Sequence, residues 1–267
     1  RQSVFCIRFK TRNSNFLLMA NHWTKEEHIL AFSLYCKTPF SKINASYPPV
    51  KELAMILGRT NGSVAMKLAN FARLDPDLKA KNISGLTRGA KGEEEIWNEF
   101  QDNWDELALL VESLLSRYQD KSAKMEEVLE MPEGIDKETR TKTRINQDFF
   151  RTTILASYNS SCCITGSKEI NLLIACHIIP WAQDSSYRTN PRNGLCMNIF
   201  HHKVFDMGLF TITPDYTIKV SPSILDSQDF LLKNLIAVYH NKKMILPHKF
   251  LPSENCLLFH NNNVFVK

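Results

Sequence analysis

Three of the chain's 8 histidines lie between His177 and His202. His177 closes a short apolar run and is followed by Ile178-Ile179-Pro180-Trp181. Asn193-Gly194 comes next, then the adjacent pair His201 and His202, with Asp206 four residues beyond His202. On a helix, positions 202 and 206 share one face, so an imidazole and a carboxylate there could reach one cation together. Imidazole titrates near neutrality and can also take a proton from water. Each feature also has a plain structural reading. His177 could be a strand-end core histidine, Asn193-Gly194 a turn, and Asp206 a partner for Lys203 or Arg192.

Several elements must position these groups. Residues 172–179 read as a short apolar strand and 193–206 as a helix. Residues 145–158 have helical periodicity, and 162–166 read as a strand running into a turn. Residues 209–213 and 216–220 alternate apolar and polar around Pro214-Asp215, a hairpin signal. The tail reads as short strand-like pieces, with Pro247, Pro252 and a turn at Asn261-Asn262-Asn263.

The first half of the chain is helical in pattern. Thr24 to Glu27 fits a capping box before an apolar run at 28–35. Pro48-Pro49 opens a helix over 50–57 that Gly58 ends. Thr60 is placed to cap a third helix over 62–74, with Leu53, Ile56, Leu57, Val64, Leu68 and Phe71 facing inward. Residues 77–92, with three glycines, read as a loop. Residues 93–118 read as one long amphipathic helix. This organisation predicts a helical domain at 20–120, a linker at 121–142 and a second domain at 143–267. Met19-Ala20 looks like a natural start, so 1–19 is expected to be an extension or remnant without a role. That stretch makes a poor signal peptide, because it lacks a continuous apolar core and a small-residue cleavage site.

The text around the histidines carries a resemblance. Arg144, Gln147, Phe150-Arg151, Tyr158, Cys163-Ile164-Thr165-Gly166, Ala175, His177-Ile178, Pro180-Trp181, Arg188, Asn190-Pro191, Asn193-Gly194-Leu195, His202, Phe205-Asp206 and Gly208-Leu209 occur in this order. Together they resemble the HNH, or ββα-metal, nucleases, in the branch found among bacterial restriction-type endonucleases. The likeness spans about 143–220. It implies an α+β protein whose helical, helix-turn-helix-like domain precedes a ββα-metal HNH nuclease domain with additional short strands. It implies hydrolysis of DNA phosphodiesters with His177 as general base, Asn193 bracing the loop that orients it, and His202 as a metal ligand. Asp206 is a second candidate ligand on geometry, and His201 competes with His202. Mg²⁺ or Mn²⁺ is the expected cofactor. One departure stands out: many of these nucleases place a metal-binding Asp just before the base, and here Cys176 holds that place. A thiol is a soft ligand, ill suited to Mg²⁺.

DNA is therefore the expected partner. In the helix-turn-helix reading, Arg59, Asn61, Ser63 and Lys67 would meet bases or phosphates at the start of a recognition helix. Arg188 and Arg192 could grip phosphates with their forked guanidinium groups. Cutting both strands at one site would call for a homodimer or two nicks. A restriction or defence role follows from the resemblance. The rival is a non-catalytic DNA-binding regulator on a degenerate nuclease fold.

Composition sets wide bounds. The 267 residues include 33 Lys+Arg and 28 Asp+Glu, a net charge of +5, which permits a polyanionic partner without requiring one. With 43% hydrophobic residues, wholesale disorder is excluded. No apolar run approaches the ~20 residues of a membrane span. Seven cysteines, with no C-x-x-C pair, suit neither a disulfide framework nor a four-thiolate zinc site. A reducing cytoplasm is the expected setting. Cys162, Cys163, Cys176 and Cys196 are expected to be buried as small apolar residues.

Overall fold

A computed structural model of the chain describes residues 22–83, 91–122 and 135–267. Its helices are α1 (Lys25–Cys36), α2 (Pro48–Leu57), α3 (Asn61–Ala72), α4 (Pro76–Ala80), α5 (Lys91–Phe100), α6 (Trp104–Ser122) and α7 (Ile135–Ser157). Strands β1 (Leu173–His177) and β2 (Gly194–Asn198) then lead into α8 (Ile199–Asp206). The chain continues through β3 (Phe210–Ile212), β4 (Ile218–Val220), α9 (Pro222–Leu225), α10 (Phe230–Leu235) and α11 (Glu254–Asn263). Helices with two small antiparallel sheets make this an α+β protein. The expected extension at 1–19 lies outside the described residues, as do 84–90 and 123–134. The remainder of the expected linker is described, and from Ile135 it belongs to α7.

Local signals set the helical half. Thr24 and Glu27 form a reciprocal capping box at α1. Gly58 ends α2 in the left-handed region at φ 63°, where a side chain would be strained. The Thr60 hydroxyl accepts the Ser63 N–H to cap α3. Phe32, Tyr35, Phe71, Trp97, Phe100 and Trp104 fill the core between these helices. The expected long helix over 93–118 is broken at residues 101–103 into α5 and α6. Asn103 turns its side-chain amide to Glu106, the local bonding that favours helix ends over interiors. Part of the expected loop at 77–92 is helical, because Asp75 caps α4.

The second half is built on α7 and the β1–β2 ladder, with Cys176 opposite Leu195 and His177 opposite Gly194. Gly194 allows α7 to lie close: a Cβ there would fall 2.1 Å from Ile154 Cδ1 and 3.0 Å from Phe150 Cζ. Three local expectations are corrected. Residues 193–206 are a 3₁₀ turn, then β2, then α8, because the Asn198 side chain caps the helix at His201 N. Residues 162–166 form a turn whose Cys163 N–H bonds the Cys196 carbonyl at 2.7 Å. The tail is mainly helical: Ser253 caps α11, and Asn261 and Asn263 donate to carbonyls one turn back instead of forming a turn. The hairpin around Pro214-Asp215 forms as read.

The halves interlock. Phe149 of α7 and Phe250 pack into the helical core. The buried Lys249 ammonium donates to the Tyr35 carbonyl, and to that of Thr38 at 2.9 Å. Asp77 accepts from Leu251 N at 2.9 Å and pairs with Arg192 at 3.1 Å.

Candidate active site

His177 stands at the last position of β1, where the strand opens into the 178–193 loop. Its ring lies flat on Phe150 of α7, with centroids 3.9 Å apart and an interplanar angle of 8°. Trp181 meets it edge-on at 5.5 Å. Its Nε2 is 2.8 Å from the Arg188 carbonyl. A carbonyl can only accept, so in the neutral ring Nε2 carries the proton and Nδ1 keeps its lone pair. Burial lowers the His177 pKa; the Arg188 carbonyl and Asp206 oppose that, while His202 reinforces it. The ring is thus neutral around pH 7, with one basic nitrogen free of that bond.

Asn193 is fully buried behind this loop. Its Oδ1 accepts the Ile179 N–H at 2.7 Å, and its Nδ2 donates to the Ile179 and Tyr187 carbonyls, each at 3.1 Å. It therefore ties the start of the loop to the segment that ends in Arg188, whose carbonyl holds the His177 ring. Asn193 acts on the His177 ring through the backbone.

His202 and Asp206 lie on one face of α8, with Nε2 and Oδ2 3.2 Å apart. They line a cleft of about 420 Å³ together with His177, Trp181 and Pro180. Among the described residues, the cluster of three potential metal ligands is Cys176, His202 and Asp206, whose donor atoms lie within 4.8 Å of one another. Burial raises the Asp206 pKa, against the pull of His202, Lys203 and His177. Burial, and then the Asp206 charge, hold the Cys176 thiol well above its ordinary range. These sulfur, nitrogen and oxygen donors suit a divalent cation.

Other candidates are placed elsewhere. His201 points into the core, its ring nitrogens 2.8 Å from Asn198 Oδ1 and 2.8 Å from the Leu235 carbonyl, so it is not at the ligand cluster. Arg59 is engaged internally: it makes a two-pronged pair with Glu27 at 2.7 and 2.8 Å and lies 4.5 Å over the Trp23 ring. Lys67 is buried against Glu93 and lies 3.3 Å from His28 Nε2. Both charges are paired within the helical half, unlike the open cations of the expected recognition set. Asn61 is exposed and Ser63 half-buried at the start of α3. Arg188 turns its Nε to the Trp181 carbonyl at 2.9 Å, and Arg192 is engaged with Asp77 and the Leu251 carbonyl. Sequence reasoning gave no role to Phe150, the platform under the His177 ring. The described cysteines are buried and free, and Cys162, Cys163 and Cys196 form no ligand cluster.

With this geometry in place, the comparison with known families is direct. Residues 162–213 match the HNH endonuclease family HNH_2. This segment is an HNH domain. Its span runs from the Cys162 turn through β1, β2 and α8 into the first strand of the hairpin, so it contains His177, Asn193, His202 and Asp206. No curated protein matches the chain. No helix among the described residues is long and apolar enough to cross a membrane.

Proposed function

We propose that the chain is a metal-dependent DNA endonuclease that hydrolyses phosphodiester bonds. The observation that carries this reading is His177: a neutral imidazole, pinned through Nε2 to a carbonyl, facing the cleft that His202 and Asp206 line. In the proposed reaction, His177 Nδ1 takes a proton from water as the water attacks phosphorus, and the ring becomes an imidazolium. Phe150 and the Arg188 carbonyl keep it from turning as its charge changes. Asn193 fixes the loop that supplies that carbonyl. His202 and Asp206 would hold the cation, which when bound supplies Lewis-acid relief of the charge on the leaving 3′ oxygen. Mg²⁺ or Mn²⁺ is the reading taken from the family resemblance, and so is a role in restriction or defence. Asn61 and Ser63 remain candidates for DNA contact on α3, and Arg188 acts through its main chain.

Plasmid cleavage with Mg²⁺ or Mn²⁺ tests the proposal. Wild-type protein is expected to nick or linearise DNA, and His177→Ala to lose that activity by a factor of about 10² to 10⁴, the usual contribution of a general base. Equal cleavage by both proteins refutes it. A buried thiol at the place of the family's acidic ligand favours the rival reading, a DNA-binding regulator. Metal-independent DNA binding with no cleavage under any divalent ion would establish that rival.

A further inference from the structure

Cys176 departs from the expected acidic ligand, yet it does not face away from the site. Its sulfur meets the donor atoms of His202 and Asp206 within 4.8 Å. The residue is fully buried on β1, while Asp206 is exposed at the end of α8. Its described hydrogen bond is a weak one to the His177 carbonyl, at 3.4 Å. A cysteine used only as a small apolar filler has no need of a carboxylate and an imidazole beside its sulfur.

We infer that Cys176, His202 and Asp206 form a mixed sulfur–nitrogen–oxygen site that takes a borderline divalent cation, Zn²⁺ or Co²⁺, in preference to Mg²⁺. Thiolate and imidazole favour such ions, whereas Mg²⁺ demands oxygen donors and keeps its waters. Three protein ligands are also the usual number in catalytic zinc sites, which leave a position open. Binding replaces the Sγ–H bond with an Sγ–metal bond and releases that proton to solvent. The inference deepens the nuclease reading by naming the class of cation, and it rests on that reading only for the reaction the cation serves.

Cobalt titration of the full chain, first stripped with chelator, tests it. A thiolate-to-cobalt charge-transfer absorption band is expected to saturate at one equivalent. Zn²⁺ should abolish the band, and excess Mg²⁺ should leave it. Cys176→Ala should remove the band and weaken Co²⁺ binding by more than about 100-fold, since losing even an outer-shell partner costs about 10–100-fold. Cys176→Asp should lose the band, keep Co²⁺ binding and gain Mg²⁺ competition. Asp206→Ala, at an exposed position, should weaken Co²⁺ binding without unfolding the chain. No band in the wild type, a band that survives in Cys176→Ala, or displacement by equimolar Mg²⁺ overturns the inference. A band without plasmid cleavage would leave the site standing and remove the nuclease reading. Cleavage with Mg²⁺ and no band would do the reverse.

Discussion

Asn193→Ala tests how the His177 ring is held. The side chain makes three buried hydrogen bonds: one accepted from Ile179 N and two donated, to the Ile179 and Tyr187 carbonyls. A typical internal hydrogen bond contributes a net of about 1 kcal/mol, and a buried donor left without a partner costs about 1–3 kcal/mol. The alanine variant gives up all three and strands the Ile179 N–H. Counting the two donated bonds at about 1 kcal/mol each and the stranded N–H at about 1–3 kcal/mol, it should lose about 3–5 kcal/mol of unfolding free energy, measured by urea denaturation. Asn193→Asp keeps the accepted bond but faces two carbonyls with a carboxylate, so it should be no more stable. The catalytic loss should have its own signature. His202 and Asp206 are carried by α8 and neither bonds to Asn193, Ile179 or Tyr187, so metal affinity should stay within about twofold of wild type under conditions where the variant is folded. Cleavage should fall by about 10²-fold, the cost of misplacing a catalytic group by an ångström. An Asn193→Ala protein within 1 kcal/mol of wild type would refute the hydrogen-bond accounting. A destabilised variant that cleaves at the wild-type rate would refute the link from Asn193 through Arg188 to His177.

Two more predictions concern His260 and Arg59. His260 is buried, stacked 3.7 Å from Phe205, and its pKa is lowered from 6.5 to about 4, chiefly by burial. Its folded pKa lies below its unfolded one, so its contribution is fully present above pH 6.5 and is lost as pH falls from 6.5 towards 4. At 1.36 kcal/mol per unit the loss is about 3 kcal/mol. Stability measured over that range should fall less steeply in His260→Gln, and identical slopes would count against the assignment. Arg59→Ala should cost about 3 kcal/mol, because it leaves Glu27 as an uncompensated, nearly buried charge. It should leave the salt dependence of DNA binding unchanged; a shallower slope would mean that Arg59 does contact phosphate.

What could be read from sequence followed the range of the interactions. His202 and Asp206 were legible as a pair because four residues on a helix is a fixed geometry. Thr24 with Glu27, and Thr60 with Ser63, were legible because a cap is completed within three residues. Arg59 and Lys67 were not, because their partners Glu27 and Glu93 lie 32 and 26 residues away, and a cation at a helix start looks the same in sequence whether it meets phosphate or carboxylate. β2 escaped because its first four residues are all buried, so the strand shows no alternation and reads as the start of α8. The tail helices were hidden by Pro247, Pro252 and the asparagines of α11, whose side chains satisfy carbonyls within a helix. Phe150 looked like any core aromatic on a helical stripe. That its ring lies under His177 depends on how closely α7 approaches β2, which Gly194 permits.

That approach is one of several supports that converge on His177, and some come from the other half of the chain. Arg192 is the residue before Asn193, and its guanidinium is held by Asp77, at the start of α4 in the helical half. Asp77 also accepts the Leu251 N–H, and Arg192 donates to the Leu251 carbonyl, so α4, the 178–193 loop and the C-terminal segment close into one ring of bonds. Two residues before Leu251, Lys249 reaches the carbonyls of Tyr35 and Thr38. Its pKa falls to about 8, chiefly through burial. Placing a charged amine there is expensive unless the contact matters to the architecture. The helical half is therefore more than a reader carried beside an independent HNH domain. It holds Arg192, the residue before Asn193, and the C-terminal segment at Lys249 and Leu251, and through Asn193 and Arg188 that hold reaches the His177 ring. The charges first credited with gripping DNA, Arg59, Lys67 and Arg192, are used in holding this scaffold together.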